Sequence, residues 1–391
     1  MAEAMAPRQS QGFLKYIVAL GTALFLASCG EAPRHVPVVP PPPPPVVKAT
    51  PQTGLPDDAN RHRVALLVPL SGANAAVGQS IADAAALALV DTGGKELRIT
   101  NYDTNQGAAA AAQKAIADGN ALFLGPLLAE DVRAVTGPAA AAGIPVISFS
   151  NDASVVGDNV WLLGFSPSQS IERVVRYARS RGATRFAGLI PPGTYGHNVA
   201  NTLIHSADAS GGRVVAMQSY SRTPKSVSTA VASLAKQKYD AVLIADAGRS
   251  AVALVPLLRK NGGADARIIG PELWNAEPGL NSAAAMSGAW YASVDNTLFA
   301  QLSTRYRARY GRTPYRLSSL GYDAVLLTTR IARDWKIGSP FPTKALADEG
   351  GFVGVDGAFR FGDEHIAERA LAVHQLGTKG SIVVSPAPKE F

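Results

Sequence analysis

From about residue 61 onward, short apolar runs alternate with amphipathic, alanine-rich segments. The first four apolar runs have the length of strands buried on both faces and lie at 64–68, 97–102, 121–124 and 145–149. Helical patterns separate them at 79–90, 107–119 and 129–142. Because buried strands that alternate with helices of about 10 to 15 residues form parallel sheets covered on both faces, this half predicts a doubly wound α/β unit.

The same alternation starts again after Gly164. Four further strand-like runs lie at 186–190, 214–217, 241–244 and 267–270. Helical patterns precede them at 168–181, 195–210, 225–237 and 251–261. Two successive units of this kind predict an α/β protein with two parallel-sheet lobes and a cleft between them.

Residues 1–28 follow a different pattern, that of an export signal. Arg8 and Lys15 precede an apolar stretch at 16–27, which is shorter than the ~18 residues that a membrane span requires. It ends in the sequence LASC at 26–29, which resembles the lipobox of bacterial lipoproteins. The only cysteine of the chain, Cys29, is therefore predicted to carry a lipid anchor; an ordinary signal peptide with a stray cysteine is the alternative. By the same resemblance, Gly30 indicates the outer membrane.

The segment 29–60 is rich in proline, with six consecutive prolines at 40–45. Proline favours polyproline II at ~3.1 Å per residue, so about 30 residues span up to roughly 90 Å. The segment is predicted to be a tether for a folded domain at 61–382. A spacer whose length has no functional importance is the alternative.

The formal net charge of +7 is spread along the chain, and its densest basic cluster lies on one helical pattern at 305–312. A solvated helix face accounts for this cluster, and weak attraction to anionic polymers is the alternative. There is no basic stripe interleaved with aromatic residues, so nucleic acid is not expected as a partner.

Patterns that would indicate catalysis are incomplete. Ser233 and Lys236 match the Ser-x-x-Lys of penicillin-recognising enzymes, but the companion motifs appear as SND at 150–152 and TKG at 378–380, in the wrong order. A helix surface is the simpler interpretation. No catalytic residue is expected.

Metal and cofactor motifs are also missing from the sequence. His197 and His205 have no carboxylate or cysteine near them to complete a metal site. No Gly-x-Gly-x-x-Gly follows a strand, so Asp103 is interpreted as a turn and helix-start residue rather than a ribose ligand. Neither a metal nor a cofactor is expected.

Several segments resemble type I periplasmic binding proteins, the class that contains branched-chain amino-acid receptors. They are VPLSG at 68–72, NYDTN at 101–105, FLGPL at 123–127, AGIPVIS at 142–148, YDAVL at 239–243 and LGYDAV at 320–325. Within that class the chain is most similar to the penicillin-binding protein activator lipoproteins, through GPLL at 125–128, SFSN at 148–151 and the segments 191–196 and 351–376. The enterobacterial activators carry a helical-repeat domain where this chain has its proline-rich segment, so partner contacts made by that domain do not transfer.

The resemblance implies how the chain divides between the lobes. The first lobe is expected at about 61–165 and 296–337, and the second at about 166–290 and 352–382. The segments 164–167 and 292–295 are then expected to be hinge strands.

Ligands of open α/β sheets gather at the carboxyl ends of the strands, where loops and helix N-termini offer unpaired N–H groups. The candidate residues of this cleft are Ser71, Gly72, Leu127, Leu128, Ser150, Asn151, Tyr195, Asp246 and Glu272. Ser150 and Asn151 would hydrogen-bond a small polar ligand, Tyr195 would stack on it, and Asp246 or Glu272 would hold an amine. Each could instead cap a helix or form a polar wall.

The sequence thus favours a non-enzymatic lipoprotein of the outer membrane that faces the periplasm and contacts the membrane only through its anchor. The resemblance implies that it activates a peptidoglycan synthase, a penicillin-binding protein. The alternative is a solute-binding lipoprotein that delivers an amino acid or another small polar ligand to an ABC importer. The leucine pair at 127–128 departs from the hydroxyl residue usual in amino-acid receptors, which weakens the case for an amino acid.

Overall fold

The computed structural model describes residues 60–388 except 278 and 379. The predicted signal peptide, Cys29 and nearly all of the tether lie outside these residues. The strands are β1 (His62–Val68), β2 (Leu97–Asp103), β3 (Leu122–Leu124), β4 (Val146–Ser148), β5 (Val160–Leu162), β6 (Arg185–Ile190), β7 (Arg213–Ser219), β8 (Ala241–Ile244), β9 (Arg267–Gly270), β10 (Trp290–Ser293), β11 (Phe352–Gly354), β12 (Gly357–Phe361), β13 (Ala367–Arg369), β14 (Ala372–Gly377) and β15 (Gly380–Ser385). The α-helices are α1 (Ala75–Asp91), α2 (Ala108–Ala117), α3 (Ala129–Ala141), α4 (Pro167–Ser180), α5 (Thr194–Ala209), α6 (Pro224–Leu234), α7 (Gly248–Lys260), α8 (Thr297–Tyr310) and α9 (Ser318–Ala332).

The first sheet has the strand order β2-β1-β3-β4-β5, and all its strands are parallel. Alternate residues of β1 point to opposite faces, as strand geometry requires. Val64 and Leu66 join the core beneath α1 and α9, whereas Ala65 and Leu67 join the core beneath α2 and α3. Both faces are buried, which explains why the strand is apolar throughout.

Helices α1 and α9 approach each other closely on the first sheet. A Cβ at Gly321 in α9 would lie 2.5 Å from the carbonyl oxygen of Ile81 in α1. Glycine is therefore required at this crossing. The residues of α9 belong to the first lobe although they follow the whole second parallel sheet in sequence.

The second sheet has the order β15-β14-β10-β9-β8-β6-β7. The strands β6 to β10 are parallel, and β14 and β15 add an antiparallel edge. Helices α6 and α7 cover one face and α4 and α5 the other. The doubly wound α/β architecture predicted from the alternation of the sequence is thereby confirmed.

A third, antiparallel sheet of β11, β12 and β13 corrects the expected division of the chain. Phe352, Phe359 and Phe361 on these strands are buried in the core of the first sheet. The resemblance implies that all of 352–382 belongs to the second lobe, but within this segment only β14 and β15 join the second sheet. The segment 352–369 completes the first lobe instead.

The expected hinge strands are also different in the structure. The segment 164–167 forms no strand, because Gly164 lies in a bend and Pro167 begins α4. A Cβ at Gly164 would lie 2.0 Å from the carbonyl oxygen of Ser150, so the chain passes too close for any other residue. At 292–295, Ala292 and Ser293 are the end of β10, inside the second sheet.

None of the helices within the described part of the chain has the length and apolar content of a membrane span.

Candidate functional site

Each parallel sheet has one point at which the chain reverses its direction of strand addition, and six of the nine candidate residues lie in or directly after the loops beside it: Ser71, Gly72, Leu127, Leu128, Tyr195 and Asp246. In the first sheet, β1 lies between β2 and β3, so the loops after β1 and β3 diverge. In the second sheet, β6 lies between β7 and β8, and the loops after β6 and β8 diverge. Crevices at such points are where open α/β sheets bind ligands.

The loop after β1 is held by hydrogen bonds to the end of β2. Asn105 donates to the hydroxyl of Ser71 over 3.1 Å, and the N–H of Leu70 donates to Asp103 over 2.8 Å. Gly72 has φ +72°, and a Cβ there would lie 2.7 Å from the Asn105 side chain. Burial alone would raise the pKa of Asp103, but these hydrogen bonds lower it below its ordinary value. Asp103 also caps the turn that follows, as predicted.

Serine hydroxyls organise the loop after β4. Ser148 donates to the carbonyl oxygen of Pro126 over 3.2 Å and accepts from the N–H of Ser150 over 3.0 Å. The hydroxyl of Ser150 accepts from the N–H of Asp152 over 3.1 Å. Ser150 is buried and Asn151 is exposed beside it. This loop therefore uses its polar side chains largely on its own backbone.

The loop after β3 contributes apolar surface to the same lobe. Leu127 packs against the core of the first sheet, and Leu128 stands in extended conformation immediately before α3. Gly125 has φ +87°, and a Cβ there would lie 2.1 Å from the carbonyl oxygen of Leu67. The loop after β3 thus presents neutral groups at the reversal point of the first lobe.

Asp246, directly after β8, is the most heavily bonded of the candidates. Its carboxylate accepts from the Tyr220 hydroxyl over 2.8 Å, from the N–H of Ala247 over 2.7 Å and from Arg222 over 2.7 and 3.1 Å. The indole N–H of Trp274 donates to its carbonyl oxygen over 2.9 Å. Burial would raise the pKa of Asp246, but Arg222 and the other donors lower it overall.

Glu272 begins the short 3₁₀ segment after β9 and faces α4. The hydroxyl of Ser170 donates to its carboxyl over 2.6 Å. Burial raises the pKa of Glu272 above its ordinary value, and the Ser170 hydrogen bond offsets this only in part. The two acidic side chains of the second lobe therefore have pKa shifts of opposite direction. The surroundings of Asp246 favour its anion, whereas those of Glu272 favour its neutral form.

Tyr195 lies in the first turn of α5, at the second reversal point. Its hydroxyl is buried and has no hydrogen-bond partner in the described structure. Burial raises the pKa of Tyr195, and the negative charges of Glu272 and Asp246 raise it further. The structure thus brings Tyr195, Asp246 and Glu272 into one electrostatic neighbourhood; that they form the wall of a ligand cleft stays a prediction.

Three further residues of this wall were not predicted: Ser170, Tyr220 and Arg222. The sequence pattern predicts that the strand before Tyr220 ends at 217, whereas β7 continues to Ser219 and the loop after it reaches Asp246. Tyr220 and Arg222 lie in the loop after β7, at the carboxyl edge of the sheet, and this position is the signal by which the sequence could have identified them. Ser170 lies on α4, and no local signal marks it as a partner of Glu272.

Within the described residues, no group of three or more His, Cys, Asp or Glu side chains has the arrangement of a metal site. His197 and His205 both lie on α5. No metal ligand role is assigned to them.

The sequence matches a family profile described as periplasmic binding protein over residues 62–381. The chain belongs to this family. Membership implies that the folded body works in the periplasm.

Three solved structures illustrate the likeness. A Rhodospirillum rubrum protein assigned to branched-chain amino acid ABC transport is 20% identical, with a TM-score of 0.74, covering 83% of this chain and 100% of its own. The Streptococcus pneumoniae substrate-binding protein LivJ, in complex with isoleucine, is 20% identical with a TM-score of 0.62, covering 83% of this chain and 100% of its own. An R. palustris solute-binding protein in complex with benzoate is 20% identical with a TM-score of 0.62, covering 84% of this chain and 97% of its own.

A curated relative, an uncharacterized protein of Rickettsia prowazekii (strain Madrid E), is 25% identical over 170 residues. The match covers 43% of this chain and 46% of the relative, so the chain spans about half the length of the curated protein it matches. At these identities the solved structures establish the fold of this chain and not its ligand.

Proposed function

We propose that the chain is a solute-binding protein, which holds a small polar ligand between its lobes and delivers it to a membrane permease. The observation that carries the proposal is the buried, unpartnered hydroxyl of Tyr195 at the reversal point of the second sheet. Other buried hydroxyls of the described structure, such as that of Tyr239, also lack a partner, but Tyr195 lies where open α/β sheets bind ligands, and a ligand there would supply the missing partner.

The charges of the second lobe indicate the chemistry of this ligand. The carboxylate of Asp246 is already neutralised by Arg222, so an amine would have to displace an existing salt bridge of 2.7 Å. Burial raises the pKa of Glu272, and the hydroxyl of Ser170 already donates to its carboxyl over 2.6 Å. The Tyr195 hydroxyl is free to donate, so we propose a ligand that offers an oxygen acceptor and needs no amino group.

Calorimetric titration of the purified body with benzoate and with isoleucine tests the ligand class. We expect oxygen-bearing ligands of the benzoate kind to bind better than isoleucine, and common free amino acids to bind more weakly than micromolar. A micromolar Kd for isoleucine would contradict the proposed chemistry. It would support an amino-acid receptor instead.

Substitution of the tyrosine tests the site. Tyr195→Phe removes one hydrogen bond and should weaken binding of the best ligand about tenfold. Tyr239→Phe is the matched control, because its hydroxyl is also buried and unpartnered but lies in the core of the second lobe. Equal losses in the two variants would mean that Tyr195 does not touch the ligand.

A second candidate function is activation of a peptidoglycan synthase by an outer-membrane lipoprotein, as the resemblance implies. The observation that favours it concerns Asp246, the acid that would hold the amine of an amino-acid ligand. Its carboxylate is already bonded to Tyr220 and Arg222 of its own lobe. In this function the body would bind the synthase and stabilise its competent conformation. The soluble body, added to a purified synthase, should then raise its rate of glycan polymerisation.

The lipid anchor is part of both candidates and rests on Cys29 alone. Cys29→Ser should abolish labelling by a fatty-acid analogue and release the protein from membranes. Undiminished label in this variant would contradict the anchor.

Shortening the predicted tether distinguishes the two candidate functions in cells. An activator in the outer membrane has to reach a synthase rooted in the inner membrane, whereas a receptor anchored beside its permease does not. Deletion of 36–48 should therefore sensitise cells to a cell-wall antibiotic only if the protein is an activator. Wild-type growth of the deletion strain, together with no stimulation by the soluble body, would rule that function out.

A further inference from the structure

A cavity of about 740 Å³ lies between α4 and the segment 362–371, apart from the cleft wall formed by Tyr195 and Asp246. Its volume is within the range of ~300–1,000 Å³ that is typical of small-molecule sites. One wall is α4 and the opposite wall is the chain that leads from the third sheet back to the second.

The wall on α4 is a polar stripe. Its members follow the spacing i, i+3, i+4 and i+7, which places them on one helix face: Gln169, Glu172, Arg173 and Arg176. The apolar residues Ile171, Val174 and Val175 of the same helix are fully buried in the core. The helix is therefore amphipathic, and its polar face lines the cavity.

The α4 side of the cavity carries a net positive charge, because Arg173 and Arg176 outnumber Glu172. Arg173 donates to the carbonyl oxygen of Leu371 over 3.0 Å and to the hydroxyl of Ser385 over 2.6 Å, which orients the guanidinium without neutralising it. Arg176 is exposed, with Glu172 one turn before it. Among the described residues neither arginine makes a salt bridge.

The opposite side carries a net negative charge, because Asp363, Glu364 and Glu368 outnumber Arg369, and its acidic turn is held in place. Asp363 and Glu364 are exposed, and the described structure gives their carboxylates no hydrogen bond or ion pair. The next residue, His365, has φ 57°, stacks on Trp161 at a ring distance of 4.5 Å and bonds to the carbonyl oxygen of Gly157 over 3.0 Å. The turn that carries both carboxylates is thus fixed to the first lobe.

Gln169 joins the two walls. Its side-chain amide donates to the carbonyl oxygen of Ala367 over 2.8 Å and accepts from the N–H of Arg369 over 3.0 Å. These are the segments through which the chain passes between the lobes, since α4 opens the second lobe and 367–371 returns to it. A ligand in the cavity would contact both passages.

We infer that this cavity is a second binding site, which takes a short peptide with free termini. The carboxylate of the peptide lies against Arg173 and Arg176, and its ammonium group lies against Asp363 and Glu364. Charges of opposite sign on facing walls complement a zwitterion, and charge-assisted hydrogen bonds are the stronger kind. The cavity volume fits two or three residues better than a single amino acid.

Calorimetric titration of the purified body with dialanine tests the site, with N-acetyl-dialanine and dialanine amide as blocked controls. We expect each blocked peptide to bind about tenfold more weakly, because it lacks one of the charges. Arg176→Gln should weaken dialanine and leave the affinity for the amide unchanged. Asp363→Asn combined with Glu364→Gln should weaken dialanine and leave the acetylated peptide unchanged.

Matched variants exclude general effects of charge. Arg179→Gln lies on α4 outside this cavity, and Glu349→Gln is an exposed acid elsewhere on the first lobe; both should bind dialanine like the wild type. Hydrogen exchange with dialanine present should slow within 362–371. Absence of binding at millimolar dialanine, or equal affinity for the blocked peptides, would overturn the inference.

A third outcome separates this site from the cleft. If Tyr195→Phe abolished dialanine binding while Arg176→Gln did not, the peptide would occupy the cleft and the second site would be refuted. Failure of benzoate to bind in the cleft would leave the result with dialanine unaffected.

Discussion

The two lobes present corresponding loops at their reversal points but treat polar groups in opposite ways. In the first lobe, Ser148 and Ser150 are neutral and bond to their own loop. In the second lobe, Asp246 and Glu272 are acidic, and the Tyr195 hydroxyl is buried without a partner. A buried polar group without a partner lowers the free energy of unfolding by about 1–3 kcal/mol. The Tyr195 hydroxyl therefore destabilises the folded protein, whereas the bonded serines of the first wall do not.

This difference indicates where selectivity resides. The serines of the first wall bond within their own loop and leave few polar groups for a ligand. In the second wall an unpartnered donor lies beside two carboxyl groups whose pKa values are shifted in opposite directions, and such a wall can discriminate between ligands. We therefore expect substitutions in the second wall to change binding and pH dependence. Substitutions in the first wall should change stability alone.

The largest effect is expected at Asp246. Asp246→Ala removes the acceptor of hydrogen bonds from Tyr220, Arg222 and Ala247 and should lower the free energy of unfolding by about 3 kcal/mol. Chemical denaturation measures this. Asp208→Ala, at an exposed position of α5, should change stability by no more than about 0.5 kcal/mol. Equal costs would mean that the Asp246 network contributes nothing.

A smaller effect is expected in the first wall. Ser150→Ala removes one acceptor, that of the Asp152 N–H, and should cost about 1 kcal/mol. Asn151→Ala, at the exposed neighbour, is the control and should be close to neutral. If Ser150→Ala cost as much as Asp246→Ala in the same denaturation experiment, the contrast between the walls would disappear.

The pH dependence of stability should come from the second wall. Burial raises the folded-state pKa of Glu272 above its unfolded value, so the folded protein retains a proton that the unfolded chain releases. Stability therefore falls as pH rises from the unfolded pKa through the folded one. Glu272→Gln should be more stable than the wild type at pH 7 and equal to it below the unfolded pKa.

Thermal unfolding at several pH values measures this difference. Glu277→Gln is the control, since no hydrogen bond or ion pair of its side chain is described. A constant difference between Glu272→Gln and the wild type at every pH would contradict a raised pKa.

The smallest effect on stability is expected at Tyr195. Because its hydroxyl is buried without a partner, Tyr195→Phe should leave the ligand-free protein unchanged or stabilise it by up to about 1 kcal/mol. Thermal unfolding without ligand is the measurement. A loss of more than about 1 kcal/mol would reveal a hydrogen bond within the protein and remove the basis for a ligand contact.

The sequence predicted the parallel sheets because their signal is local. The runs at 241–244 and 267–270 coincide with β8 and β9, since strands buried on both faces are largely apolar; Arg267, which begins β9, is the exception. The short strands at 352–369 gave no such signal. They form an antiparallel sheet that packs through Phe359 on the core of the first sheet. Most residues of that core lie far away in the chain, so no local pattern predicts the contact.

The candidate site shows the same limit. Tyr195, Asp246 and Glu272 were predicted because each directly follows a strand or begins a helix. Their partners were not predicted, because Arg222 reaches Asp246 from a different loop and Ser170 reaches Glu272 from a helix 102 positions earlier. Sequence pattern identifies loops at one edge of a sheet, but charge state depends on side-chain contacts between those loops.

The return of the chain to its first lobe has a consequence for synthesis and secretion. Helix α1 ends at Asp91, whereas its packing partner α9 begins only at Ser318. A chain that emerges from its N-terminus therefore carries an unfinished first lobe, with the apolar face of α1 uncovered, while more than 200 further residues follow. Any stop before about residue 361 leaves that lobe without part of its core and the other lobe without its antiparallel edge. Truncated products are therefore expected to expose apolar surface and to be sensitive to proteases.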